Sequence, residues 1–112
     1  MLREVKQLFH VLALTKRLRM LKLIETGDTY GAELAVALGM SYSNACRHLR
    51  AMAAAGLVEA REAGTRIFYS VPRGRALGAQ LTRTVCTWLD DDETVKKDLR
   101  RFEKAKTKVR GR

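Results

Sequence analysis

Apolar residues recur at helical spacing along most of the chain. Val5, Leu8, Phe9 and Leu12 follow one another at i, i+3, i+4 and i+7, so they predict an amphipathic helix over Leu2–Leu14. Similar spacing predicts five further helices. These lie over Lys16–Glu25 with Thr15 as a cap, from about Tyr30 to Leu38, over Ser41–Ala55, through Leu77, Leu81, Val85 and Trp88, and over Asp91–Lys108.

Glycine and proline divide these helices and indicate one hairpin. Gly39 ends the third helix, at a position where glycine adopts a left-handed conformation at little cost. The segments Leu57–Glu62 and Arg66–Val71 predict two strands around the three-residue loop Ala63-Gly64-Thr65, and Pro72 stops the second strand. The predicted fold is therefore mainly α with one β-hairpin, in the order α-α-α-α-β-β-α-α.

The end of the chain differs from the rest in its charge. Residues 96–112 carry nine basic and two acidic side chains, a net charge of +7. Asp90, with Glu93 three positions later, resembles a capping box and indicates a break before the last helix. The apolar positions of that helix form a narrow seam: Val95, Leu99, Phe102 and Val109. We expect one domain over residues 1–89, followed by a basic amphipathic helix and frayed tail over residues 90–112.

The overall composition narrows the class of protein. The 112 residues suit one domain, and 22 Lys and Arg against 12 Asp and Glu give a net charge of +10. A chain this basic is expected to bind a polyanion, above all nucleic acid. No apolar stretch approaches the roughly 18 residues of a membrane span, and the N-terminus is charged where a signal peptide is apolar. We therefore expect a cytoplasmic protein without a membrane partner.

The third and fourth helices match a DNA-binding helix–turn–helix, because the short turn Gly39-Met40-Ser41 joins them. A recognition helix is apolar on one side and small, polar and basic on the other. The residues expected to face the core are Tyr42, Ala45, Leu49, Met52 and Ala53. Those expected on the opposite side are Ser43, Asn44, Arg47, Ala51 and Ala54.

This placement assigns DNA contacts to the fourth helix. Asn44 has the chemistry to pair with adenine and Arg47 with guanine. His48 and Arg50 lie on the flanks, nearer the expected positions of phosphates. Tyr42 stands at the start of the helix, so it also has access to the groove although its spacing indicates core. Ordinary solvated polar residues on a surface helix are the alternative interpretation.

The hairpin supplies a second group of cations. Arg61 and Arg66 flank its tip, and arginines on a projecting hairpin suit the narrow, electronegative minor groove. Charged residues that protect a strand edge from pairing are the alternative interpretation.

Several sequence runs together resemble the ArsR-type (arsenic-repressor-like) winged-helix regulators. They span roughly residues 8–71 and comprise Lys16–Leu21, Glu33–Ala35, Leu38–Ser41, Ala45–Leu49, Ala55–Val58, Arg61–Glu62 and Phe68–Tyr69. The resemblance implies a homodimeric DNA-binding regulator, usually a repressor that a ligand releases from its operator. It also implies that the first helix and the helices after the wing form the dimer interface.

The chain departs from that family where metal sensors carry their ligands. Tyr30 and Ala32 stand in place of the Cys-x-Cys of arsenic sensors, and no histidine follows His48. We therefore expect no metal site and no cofactor. The two cysteines, Cys46 and Cys86, are either small buried apolar residues or a thiol sensor.

We interpret the sequence as a dimeric winged helix–turn–helix repressor that reads a palindromic operator. A low-specificity DNA-coating protein and a thiol-redox-responsive repressor that uses Cys46 and Cys86 remain alternatives, as does an interaction module built on the C-terminal seam. An enzyme is not expected, because the chain has no phosphate-binding loop, no His-Glu-x-x-His and no nucleophile with a partner. The effector remains unidentified.

Overall fold

The computed structural model describes residues 1–111 and contains six helices and a small sheet over that range. The elements are α1 (Leu2–Leu12), α2 (Thr15–Ile24), β1 (Thr29–Tyr30), α3 (Gly31–Leu38), α4 (Tyr42–Ala54), β2 (Glu59–Ala63), β3 (Arg66–Ser70), α5 (Leu77–Trp88) and α6 (Glu93–Arg110). The predicted fold class, mainly helical with a wing, is confirmed. None of the helices in the described part of the chain is long and apolar enough to span a membrane.

The sheet has three antiparallel strands in the order β1-β3-β2. Thr29 pairs with Tyr69, so β1 ties the start of the helix–turn–helix to the base of the hairpin. The sequence did not reveal β1. The hairpin closes at the pair Ala63 and Arg66, so its turn contains two residues where three were predicted. Gly64 in that turn has φ +65°, a left-handed conformation that glycine adopts without strain.

Leu57 and Val58, predicted in the first strand, lie before it and are buried. They join a core to which every helix contributes. Its largest members that are fully shielded from solvent include Met20, Leu21, Leu23, Leu34, Leu49, Met52 and Phe102. Because about 1.5–3 kcal/mol accompanies the burial of each such side chain, this core fixes the positions of the helices.

Helix α6 packs on α3 and α2 and belongs to the same core. Its predicted seam faces inward: Val95 and Phe102 are buried, and Leu99 is half-buried. The seam is therefore occupied within the chain, which removes the basis for an interaction module at this place.

Two predicted helix caps were wrong. Thr15 is the first residue of α2 and not its cap, since Leu14 precedes the helix there. At the start of α6 the cap is Asp92, whose Oδ1 accepts a hydrogen bond from the Val95 N–H at 2.9 Å. Asp90, the predicted cap, forms an ion pair with the Lys22 ammonium group.

Candidate nucleic-acid interface

The turn between α3 and α4 has the geometry that the helix–turn–helix motif requires. Gly39 ends α3 at φ +67°, and the Met40 N–H donates to the Ala35 carbonyl at 3.0 Å. Ser41 caps α4, because its Oγ accepts a hydrogen bond from the Asn44 N–H at 3.1 Å. These contacts hold the two helices in a fixed orientation. Ala45, Leu49 and Met52 form the buried face of α4.

One face of α4 is open to solvent along its whole length. Its exposed residues follow one another at i, i+4, i+7 and i+11: Ser43, Arg47, Arg50 and Ala54. Neither arginine has an acidic partner within the described residues. Arg50, expected on the flank, is thus in line with Arg47, whereas Asn44 is half-buried at one side.

Tyr42 does not belong to the buried stripe, where its spacing had placed it. Its side chain is 62% exposed at the first turn of α4. The expectation that Tyr42 faces the core was therefore wrong, and its contact with the groove stays a prediction. It lies beside Cys46, and a hydrogen bond with that side chain raises the pKa of Tyr42. Ala53, also predicted to face the core, is half-buried.

His48 is held against α2 and is partly buried. Its Nδ1 accepts a hydrogen bond from Arg17 Nε at 3.0 Å, and Arg17 also donates to the Val11 carbonyl at 2.8 Å. Burial of the ring, with the positive charges of Arg17, Arg47 and Lys16, lowers the pKa of His48. The imidazole is therefore neutral at pH 7, and it acts as an acceptor that fixes α4 on α2.

A stack of aromatic rings and guanidinium groups runs along the wing. The Tyr30 and Phe68 rings lie 4.2 Å apart. The Arg66 guanidinium covers Tyr30 at 4.4 Å, and the Arg61 guanidinium covers Phe68 at 4.9 Å. Such contacts hold a cation in place while its polar edge stays accessible.

The two arginines of the wing have different surroundings. Arg66 closes the hairpin tip, but Arg61 pairs with Phe68 in the middle of the strands. Arg61 also donates to Asp28 at 2.7 Å. The expectation that both flank the tip was therefore wrong for Arg61, which lies two residue pairs away from the closing pair of the hairpin. With Glu59 and Glu62 on β2, the hairpin over residues 59–70 has no net charge.

A third arginine, which sequence reasoning did not assign to this region, reaches the wing from the end of α6. Arg110 forms an ion pair with Glu33, whose side chain is fully buried. It also donates to the Asp28 carbonyl at 2.7 Å and lies 4.8 Å from the Tyr30 ring centre. The isolated acidic residue in the apolar helix α3 was the only sequence signal of such a partner.

The two cysteines occupy unlike environments. Cys46 is half-buried and lines a small cavity with Tyr42, Tyr69 and Arg50 between α4 and the wing. Cys86 is fully buried, and burial raises its pKa to about 12. A thiol with so high a pKa is a poor nucleophile at neutral pH, so the structure gives no support to Cys86 as a sensor.

An apolar groove separates α1 from α5. It is lined by Val5, Leu8, Phe9, Leu77, Gln80, Leu81 and Thr84. Phe9 is 57% exposed, and Trp88 at the end of α5 is 72% exposed. Phe9 and Trp88 lie on helices that the family resemblance assigns to a dimer interface, and both are largely exposed within residues 1–111.

Comparison with known proteins agrees with this architecture. The family model described as "Bacterial regulatory protein, arsR family" matches residues 15–60. The chain is also 33% identical to the winged helix-turn-helix DNA-binding domain (fragment 1–100) of Mb0332 from Mycobacterium bovis, described as homodimeric and as a possible ArsR-family transcriptional regulator. That match covers 82% of this chain and 83% of the other, with a TM-score of 0.67.

The chain belongs to the ArsR family of winged helix–turn–helix regulators. A second similar protein is the HTH-type transcriptional regulator Rv0324 of Mycobacterium tuberculosis, 37% identical over 71 residues. The match covers 63% of this chain but spans only 31% of the length of that relative.

Proposed function

We propose that this chain is a homodimeric transcriptional repressor that binds a palindromic operator. Helix α4 lies in the major groove of each half-site, and the wing contacts the adjacent minor groove. The observation that carries this proposal is the exposed face of α4, where Arg47 and Arg50 have no acidic partner among the described residues.

Within this proposal the side chains of α4 have separate roles. Arg47 and Asn44 read base edges, whereas Ser43, Arg50 and the Tyr42 hydroxyl contact phosphates or the groove wall. His48 contributes by positioning α4, because its imidazole already accepts a hydrogen bond from Arg17. On the wing, Arg66 is the residue that reaches DNA, since Arg61 is paired with Asp28.

The dimer follows from the groove between α1 and α5. A second copy that covers Phe9, Leu81 and Trp88 would remove this apolar surface from water. A twofold dimer presents two α4 helices, and two half-sites one helical turn or a multiple apart then form an inverted repeat. The homodimeric neighbour supports this arrangement.

The test is selection of bound duplexes from a random pool, followed by affinity measurements on the selected and a scrambled duplex at one salt concentration. We expect an inverted repeat and a specificity ratio of about 10³ or more. A ratio near one would contradict operator recognition and favour a DNA-coating protein.

Substitutions then test the placement of α4. Asn44→Ala should cost about 1–3 kcal/mol at one base pair and relax specificity there, whereas Arg66→Gln should weaken all sequences alike. Lys96→Gln is the control, since Lys96 is paired with Glu93 on α6. If Asn44→Ala and Arg47→Gln both leave affinity and sequence preference as in the control, α4 does not read DNA.

A further inference from the structure

We infer that the outer face of α6 is a second DNA-contacting surface that binds the phosphate backbone beside the operator. Its residues form a basic stripe: Lys97, Arg100, Lys104 and Lys108. The inference rests on the proposed DNA-binding function and extends the interface beyond α4 and the wing.

The stripe is defined by helical spacing and by the absence of partners. Its members follow one another at i, i+3, i+7 and i+11, so they lie within about 80° around the axis and span about 16 Å along it. All four are exposed. None has an acidic partner within residues 1–111, whereas the neighbouring Lys96, Arg101 and Lys106 are paired with Glu93, Asp98 and Glu103.

Charge makes α6 the strongest polyanion site of the chain. The helix carries eight basic and three acidic side chains, a net charge of +5 out of +10 for the whole chain. The wing over residues 59–70 has none, and α4 contributes two arginines. Non-specific DNA affinity comes from phosphate contacts by Lys and Arg, so we expect the unpaired cations of α6 to contribute to it.

The position of α6 brings this charge next to the proposed interface. Arg110 fixes the end of the helix at Asp28 and Tyr30, at the base of the wing. Val109 lines one small cavity together with Arg66 and Tyr42. The C-terminal end of α6 therefore lies beside the wing and the start of α4, and the stripe on the exposed face of the helix leads away from that end.

A dimer that forms through the apolar groove between α1 and α5 would leave the stripe free. None of its four side chains lines the groove between these helices. The inner face of α6 is occupied by α3 and α2. The outer face is thus available to the DNA that extends past each half-site.

The experiment compares two DNA probes that carry the same selected operator. One ends at the operator, and the other continues for about ten base pairs of random sequence on each side. The stripe variant is Arg100→Gln/Lys104→Gln. Its matched control is Lys96→Gln/Lys106→Gln, which removes the same charge from paired lysines of the same helix.

We expect the wild-type protein and the control to bind the longer probe more tightly, and the stripe variant to lose this gain. The slope of log K against log salt on the longer probe should become shallower by about 2 per protomer, because each phosphate contact contributes about 0.9. Circular dichroism and the melting temperature should not change, since glutamine is a good helix former at exposed positions.

Equal behaviour of the stripe variant and the control on both probes would overturn the inference. A scrambled duplex of the longer length separates the two proposals, because phosphate contacts do not depend on sequence. If the wild type shows no preference for the operator but the stripe variant binds scrambled DNA more weakly, operator recognition is rejected and the stripe is retained. If the wild type prefers the operator but the stripe variant binds both probes like the control, the stripe is rejected and operator recognition is retained.

Discussion

Arg19 of α2 and Asp98 of α6 form a two-pronged ion pair across 79 positions of the chain. Arg19 Nε and Nη2 each lie 2.8 Å from a different oxygen of the Asp98 carboxylate. The Asp98 side chain is fully buried, whereas that of Arg19 is 22% exposed. The pair fixes α6 on α2, and its two partners differ in their access to water.

This difference predicts unequal effects of two substitutions. Arg19→Met leaves a buried carboxylate with only the distant Arg101 at 3.7 Å, so it should lower the free energy of unfolding by about 3 kcal/mol. Asp98→Asn should cost less, because Arg19 can turn its charge toward solvent. The double variant Arg19→Met/Asp98→Leu should lose less than Arg19→Met alone. Urea unfolding measures all three, and equal losses for both single variants would contradict the argument.

Gly78 predicts a second effect on stability. A Cβ at this position would lie inside contact distance of the Gly56 carbonyl and 2.7 Å from the Gly56 carbonyl carbon. Gly78→Ala should therefore destabilise the protein by about 1–3 kcal/mol through overpacking, although alanine favours a helix by about 1 kcal/mol. Thr87, which is exposed on the same helix and does not line the groove between α1 and α5, provides the control Thr87→Ala. An increase in stability for Gly78→Ala would show that α5 is free to shift away from the turn.

The lowered pKa of His48 predicts a loss of stability in mild acid. The unfolded chain binds a proton near pH 6.5, and the folded state binds it only at lower pH. The stabilisation is therefore complete above the unfolded pKa and is lost as pH falls through the folded pKa. Wild type should lose more free energy of unfolding than His48→Gln between about pH 7.5 and pH 5. Parallel pH profiles would exclude His48 as the source.

The thiols predict different reactivities. Cys86 should resist a thiol reagent in the native state because burial raises its pKa to about 12. Titration should therefore give at most one reactive thiol in the folded protein and two in denaturant. Cys46→Ser identifies which thiol reacts. If peroxide alters DNA affinity in wild type and not in Cys46→Ser, the redox alternative holds through Cys46; unchanged affinity in both rejects it.

The sequence predicted the elements whose signals are local. Gly39 marked the end of α3 because the left-handed conformation at that position favours glycine. The spacing of Leu77, Leu81, Val85 and Trp88 indicated a helix, which the structure contains as α5. The strand β1 was missed, since two residues are too few to show alternation. Its existence depends on pairing with β3, forty positions later.

Side-chain environments were predicted less well than elements. Helical spacing placed Tyr42 inside, yet Tyr42 is exposed, and the spacing did not decide the environment of Cys86, which is fully buried. Periodicity defines one buried face, but α5 packs on α2 as well as on the turn before the wing. The partners of Arg61 and Arg110 were equally invisible, because Asp28 and Glu33 meet them only in the folded chain.

The stacked rings and guanidinium groups of the wing have a consequence for the thermodynamics of binding. Arg66 is already held over Tyr30, and Tyr30 over Phe68, so these side chains have fewer rotamers to lose when they meet a ligand. A long, freely rotating side chain gives up about 0.5–1.5 kcal/mol of conformational entropy on immobilisation. The hairpin therefore approaches its target in a preorganised state, in which most of that entropic cost was met during folding.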